Sequence, residues 1–384
     1  MPRPFDNNLP RRLRFGRGVS SELAAELRRL GCARPLLITD AGVAAAGLLT
    51  RLTSLLSREA FKHAVFDRTE PEPPFACVAA AVASVRGSFE ADSVVALGGG
   101  SVMDTAKLVA ATLVDGREAP ALAGIGKVGR RPLPLVCIPT TSGTGSEATP
   151  VAIFTDPATG TKVGVVDPCL VPDLVLLDPE FTDGLPPLPT AAAGMDALVH
   201  ALEAFIARSA TPLARGLALE AARRIGPALP AVCRNGGART ARDEMLVGAN
   251  LAGLAFASSS CCAVHALALP LGGRFHIIHG VATGCLVAET MRHNLPACEA
   301  DFSRFAEALG WTATSPASFP GRLAALAREI GLLSVLARTR VPDEALAGIA
   351  RDAVANRRLM DPNPVPITQE DAVAILRRTL APDE

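Results

Sequence analysis

The sequence carries no net charge: 38 basic residues are balanced by 38 acidic ones. It also lacks a block of basic residues, so it offers no electrostatic footprint for nucleic acid or an anionic membrane. No apolar run reaches the roughly 18 residues needed to cross a bilayer, although mean hydropathy is +0.30. The opening stretch, MPRPFDNNLPRRLRFG, has no apolar leader core. The nine cysteines are odd in number and scattered, with no CxxC, and the adjacent pair Cys261 and Cys262 is badly placed to bond to itself. These absences predict reduced thiols, most of them small core residues, in a cytoplasmic protein. There is no internal repeat and no low-complexity tract.

What is present divides near residue 186. Before it, short apolar runs alternate with helix-compatible segments: RPLLITD, AGLLTRLTSLLSREA, HAVFD, FACVAAAVASVRGSF, DSVVALGGGS and PLPLVCIPTTSGTGSE. That alternation predicts an α/β domain built on a parallel sheet, with ligand-binding loops at the carboxyl ends of its strands. After the prolines Pro186, Pro187 and Pro189, strand patterns vanish and Ala/Leu/Arg-rich helical segments dominate. The expected division is a dinucleotide-binding domain over 1–185 and a helical domain over 186–384.

Two polar loops stand out in the first half. GGGSVMDTAK joins a buried-strand pattern to a helix, an arrangement that aims backbone N–H groups and a helix dipole at an anion. It matches neither GxGxxG nor the P-loop, and a tight strand-to-helix turn is the plain alternative. PTTSGTGSE follows another strand candidate and packs five hydroxyls and two glycines into nine residues, far more polarity than a short connection needs. Two such loops at neighbouring strand ends can converge on one phosphorylated ligand. Asp40 ends the first clear strand; it either accepts from ribose hydroxyls or caps the following helix.

The second half holds a metal-ligand pattern. Asp196 and His200 lie four apart in a strong helix former, so both side chains leave one face. His265 and His279 bracket the Gly272–Gly273 turn. One carboxylate and three neutral imidazoles suit Fe²⁺ or Zn²⁺ and leave a position for a substrate oxygen.

The stretches GGGSVMDTAK, PTTSGTGSEATP, AAGMDALVHALEAF and VHALALPLGGRFHIIHG, in this order and spacing, resemble the group III, iron-dependent alcohol dehydrogenases from end to end. The resemblance implies a Rossmann-like α/β domain followed by a helical metal-binding domain, as in dehydroquinate synthase. It implies NAD-linked hydride transfer between a small alcohol and its aldehyde, and a homodimer. Carried over by position, Gly98, Gly99, Gly100 and Ser101 fall on the pyrophosphate loop, with Asp104 in the same motif. Thr140, Thr141, Ser142, Thr144 and Ser146 fall on the second nucleotide loop, Lys162 near the ribose, and Asp40 where an aspartate accompanies NAD rather than NADP. Asp196, His200, His265 and His279 match the metal ligands; no catalytic residue beyond the metal centre is implied.

Three positions depart from the family pattern: Leu269 where many members carry a histidine, Ile278 where proline is common, and Val151 where some diol oxidoreductases have asparagine. They bear on substrate and proton route. Arg274 and His276 flank the loop before His279, where either can anchor a substrate carboxylate. The resemblance leaves as alternatives to a simple alcohol a hydroxy-acid dehydrogenase of the 4-hydroxybutyrate or hydroxyacid–oxoacid transhydrogenase type, a maleylacetate reductase, whose relatives tend to lose the metal ligands kept here, and a dehydroquinate synthase-like lyase. A non-catalytic binding module fits least, because cofactor loops and metal ligands are all present.

Overall fold

The structure is a computed structural model and describes residues 5, 7–156 and 161–381. The chain forms two compact units: Asn8–Thr141 with Gly145–Gly184, and Leu185–Glu384 with Met1–Asn7 and Ser142–Thr144.

The first unit is built on a six-stranded sheet, all of whose pairings are parallel. The strands are β1 (Leu13–Phe15), β2 (Pro35–Ile38), β3 (Ala64–Phe66), β4 (Ser93–Gly98), β6 (Leu135–Pro139) and β9 (Leu174–Leu177), in the order β1-β9-β6-β4-β2-β3. The missing numbers belong to a second sheet of β5 (Gly124–Ile125), β7 (Val151–Thr155) and β8 (Lys162–Val166), with β7 and β8 antiparallel. The central strands read as continuous apolar runs because both faces are covered. Successive side chains alternate between faces: Leu36, Ile38, Val94 and Ala96 join one core, while Leu37, Val95 and Leu97 join the other. Helices α1 (Leu23–Arg29), α2 (Ala41–Ala45), α3 (Leu48–Arg58), α4 (Phe75–Val85) and α5 (Gly100–Asp115) follow or join these strands.

The second unit is helical among its described residues. Its first five helices are α6 (Pro187–Ile206), α7 (Pro212–Arg234), α8 (Arg239–Ala257), α9 (Ala263–Phe275) and α10 (His279–Ala308), and five more lie between Phe319 and Leu380. Helix α6 packs on α7, α8 and α10, and every residue from Gly194 to Ile206 is buried. A helix buried all round should be apolar all round; α6 breaks that rule at Asp196, His200 and Glu203. Buried ionisable groups cost several kcal/mol unless partnered, so these three ask for an explanation. All nine cysteines are free thiols and seven are buried. No described helix is long and apolar enough to cross a membrane.

Candidate metal centre and cofactor loops

Asp196 and His200 project from one face of α6, His265 stands in the first turn of α9, and His279 opens α10. Their donor atoms converge. Asp196 Oδ1 is 3.7 Å from His265 Nε2 and 3.6 Å from His279 Nε2, and Asp196 Oδ2 is 3.6 Å from His200 Nδ1. These gaps are long for hydrogen bonds. Two donors each about 2.1 Å from one ion at a tetrahedral angle sit about 3.4 Å apart, close to what is found. His200 Nδ1 and His265 Nε2 are buried with no hydrogen-bond partner among the described residues. Orphaned polar atoms of this kind need a ligand to account for them, and one carboxylate with three imidazoles suits a divalent first-row ion.

The electrostatics of Asp196 and His200 agree with that donor set. Burial pushes the Asp196 carboxyl up, but His200, His279 and His265 outweigh it and hold the carboxyl well below the usual range. Burial, opposed by Asp196, pushes His200 down to about 3, so its ring is neutral and keeps a lone pair. Burial lowers His265 as well, but Cys261, Glu203 and Asp196 outweigh it and raise this ring. Thr283 Oγ1 donates to Asp196 Oδ1 at 2.9 Å, fixing the carboxylate from α10. His279 is the most open of the four, its side chain 32% exposed.

Sequence reasoning missed Glu203. Fully buried, its carboxylate accepts from the Cys262 and Val264 backbone N–H groups at 2.8 and 2.7 Å, and lies 2.6 Å from His265 Nδ1. A carboxylate only accepts, so Nδ1 carries a proton, and in the neutral ring this leaves the lone pair on Nε2. One side chain therefore holds the first N–H groups of α9 and orients a candidate ligand, as outer carboxylates do at metal sites. The signal was present in the spacing: Glu203 is three residues after His200 and seven after Asp196, on the same helical face.

The first unit carries the glycine loop. Gly98 ends β4, Gly99 precedes α5, and Gly100 begins it. None of the three has a positive φ, and Gly98 is needed for space. A Cβ on Gly98 would lie 2.5 Å from Val102 Cγ2, and one on Gly99 would lie 3.3 Å from the Thr141 side chain. No side chain caps α5, so its first N–H groups have no intrahelical partner. Thr140 N–H donates to Gly98 O at 3.1 Å, so Thr140, Thr141 and the glycines lie side by side at the ends of the paired strands β4 and β6. Asp40 stands beyond the end of the next strand, β2, where its Oδ1 accepts the Val43 N–H at 2.9 Å and caps α2. The cap uses one of its two oxygens.

Other residues expected at the cofactor have partners within the protein. Ser146 Oγ donates to Asp104 Oδ1 at 2.6 Å, and Asp104 Oδ2 accepts the Ile153 N–H at 2.8 Å. Lys107, fully buried, donates to Ser146 O, Ser146 Oγ, Thr149 Oγ1 and Val151 O at 2.6–3.1 Å. This network ties α5 to the segment from Ser146 to β7. Lys162 Nζ reaches Thr155 Oγ1 and Glu72 Oε2, each at 2.8 Å, and Ser101 Oγ accepts the Glu72 N–H at 3.1 Å. Ser142 and Thr144 belong to the helical unit, where Gly143 lies against Ala193 of α6 so closely that a Cβ would sit 2.8 Å from the Ala193 Cβ.

Family comparison matches residues 10–179 to the model for iron-containing alcohol dehydrogenase and residues 190–380 to the C-terminal model of the same family. The chain belongs to the iron-containing alcohol dehydrogenases. It is 36% identical over 376 residues to long-chain-alcohol dehydrogenase 1 of Geobacillus thermodenitrificans, covering 95% of this chain and 94% of that one. It is 31% identical over 372 residues to the NAD-dependent methanol dehydrogenase of Bacillus methanolicus, covering 95% and 97%. Among solved structures, a 1,3-propanediol oxidoreductase superposes with a TM-score of 0.92 at 31% identity, covering 98% of this chain and all of that one. The chain is thus an alcohol oxidoreductase of the iron type, and the six-stranded parallel sheet with its helical C-terminal region is this family's fold.

Proposed function

We propose that this iron-type alcohol dehydrogenase interconverts small alcohols and aldehydes with NAD, using Asp196, His200, His265 and His279 to hold one divalent ion, Fe²⁺ or Zn²⁺. The observation that carries the metal assignment is the pair of buried, partnerless nitrogens, His200 Nδ1 and His265 Nε2, turned toward Asp196. When bound, the ion supplies Lewis acidity toward a substrate oxygen and the nicotinamide accepts or returns the hydride. The remaining work falls to the chain. Glu203 keeps the His265 proton on Nδ1, while Thr283 holds the carboxylate of Asp196.

The division of labour follows the two units: the dinucleotide on the α/β unit, the metal on the helical one. The uncapped N-terminus of α5 after Gly98–Gly99 favours the pyrophosphate as its ligand. The hydroxyls of Ser101, Thr140 and Thr141 line that turn, and Asp40 favours NAD because its carboxylate repels a 2′-phosphate. Ser146, Asp104 and Lys162 complete the nucleotide set on that unit. Ser146 and Asp104 do so indirectly, by fixing the second loop through their mutual hydrogen bond.

A simple alcohol is favoured over a hydroxy acid. Arg274, the candidate carboxylate anchor, is exposed and paired with Asp352, while His276 is exposed at the left-handed end of α9. The named relatives act on long-chain alcohol and on methanol, so an alcohol is the common class. The reading includes a cytoplasmic homodimer. An exposed edge supports self-association: β1 closes one side of the sheet and exposes Leu13 and Phe15.

The test is NADH release from an alcohol by the full chain, with metal measured on the same sample. Chelator treatment should abolish activity and added Fe²⁺ or Zn²⁺ should restore it, while His265→Ala should hold little metal and remain folded by circular dichroism. A metal-free preparation with full activity overturns the reading.

A further inference from the structure

A second set of candidate donors overlaps the first at His265. The ligand atoms of His200, Cys261 and His265 lie within 4.8 Å of one another, and all three residues are buried. His265 is thus common to this set and to that of Asp196, His265 and His279. Cys261 sits two residues before α9, on the segment that Glu203 anchors through the Cys262 N–H. The rings of His200 and His265 stack with centroids 4.4 Å apart, and Phe256 covers the other face of the His200 pair at 4.6 Å. The partnerless nitrogens His200 Nδ1 and His265 Nε2 supply the independent sign of a ligand here. Other buried thiols differ in surroundings: Cys77 and Cys137 sit in an aliphatic core of the α/β unit with no imidazole in any donor set.

We propose that Cys261 is a sulfur donor to the ion held by this centre, and that it shifts the metal preference from iron toward zinc. The inference rests on the four-donor reading above and extends it. Thiolates are soft ligands that select zinc over harder ions, whereas imidazole and carboxylate alone discriminate less. A sulfur at about 2.3 Å and a nitrogen at about 2.1 Å from one zinc ion sit about 3.6 Å apart at a tetrahedral angle. The three donor atoms lie within 4.8 Å of one another, a range from which one bound ion would draw them together. On binding, the thiol proton passes to solvent as the sulfur–metal bond forms, with no change of oxidation state.

The experiment strips the full chain of metal and reloads it with Co²⁺, whose spectrum reports sulfur ligation directly. The unmodified protein should give visible ligand-field bands and a near-ultraviolet sulfur-to-cobalt charge-transfer band. Cys261→Ser should lose the charge-transfer band and keep the visible ones; Cys262→Ser should keep both. Loaded anaerobically from equal Zn²⁺ and Fe²⁺, the unmodified protein should favour zinc, and Cys261→Ser should lower the zinc-to-iron ratio by about tenfold, the lower end of what changes around a metal site produce. Should Cys261→Ser fail to fold, zinc-edge X-ray absorption on the unmodified protein decides: a sulfur neighbour supports the proposal and an all-nitrogen-and-oxygen shell overturns it. Cobalt uptake without a charge-transfer band, or a band that survives in Cys261→Ser, removes Cys261 and leaves the four-donor reading standing. No metal uptake at all removes both.

Discussion

Asp40 combines two properties that one substitution can separate. Its Oδ1 caps α2 through Val43 N–H, and its charge stands beyond β2, beside the strand that leads into the glycine turn. Asparagine caps a helix about as well as aspartate, so Asp40→Asn should keep the melting temperature and discard only the charge. The expected outcome is a rise of about tenfold in kcat/KM for NADP relative to NAD, equivalent to about 1.4 kcal/mol. Steady-state kinetics with both nucleotides checks it; an unchanged ratio would reduce Asp40 to a cap. At this scale the sequence was readable where a residue type is rare and its spacing regular. Six histidines and one helical i, i+4 pair were enough to single out the four candidate ligands that the fold brings together. Glu203 escaped because glutamate is common on helices, and its spacing from Asp196 and His200 stands out only once its burial is known.

Among the elements, the contact between α6 and α10 sets the position of His279. The next residue, Gly280, lies against α6 so tightly that a Cβ would fall 2.1 Å from Ala192 O and 2.5 Å from Ala192 C. Both are backbone atoms, so the helices themselves must separate. Gly280→Ala should cost about 1–3 kcal/mol, the usual penalty for overpacking, and should weaken metal binding by drawing His279 away from Asp196. Gly216→Ala on α7 is the control: a Cβ there meets nothing within 4 Å, and alanine should stabilise the helix by up to about 1 kcal/mol. Thermal melting and metal titration of both variants check the pair. Equal behaviour of the two would show that the α6–α10 contact has slack.

The same scale marks where sequence reading failed. Strands with long apolar runs and helices with clear periods were legible. The small sheet of β5, β7 and β8 was not, because β5 has only two residues and the antiparallel pair of β7 and β8 falls outside the strand–helix alternation that marks the main sheet. Strand order was also out of reach. The three-residue β1 pairs with β9, Leu13 facing Val175, and such a pairing comes from tertiary packing rather than local pattern.

For the whole molecule, the division into two units predicts separate responses to the two ligands. A ligand at 1,000 times its Kd stabilises the state it binds by about 4.1 kcal/mol. Metal should therefore slow amide exchange in α6, the first turn of α9 and the start of α10, where its candidate ligands stand. NAD should slow exchange at the start of α5. Hydrogen exchange followed by mass spectrometry reads both; metal-dependent protection centred on β2 and β4 would count against the assignment. The buried lysine at the heart of the α5 network carries one further, practical consequence. The chain has four lysines, Lys62, Lys107, Lys127 and Lys162, and none after residue 162. Lys107 is sealed from solvent, while Lys162 pairs with Glu72 and shows only 8% of its side chain. Side-chain coupling to an amine-reactive support would thus run mainly through Lys62 and Lys127, immobilising the enzyme by its α/β unit and leaving the helices that carry the candidate ligands chemically untouched.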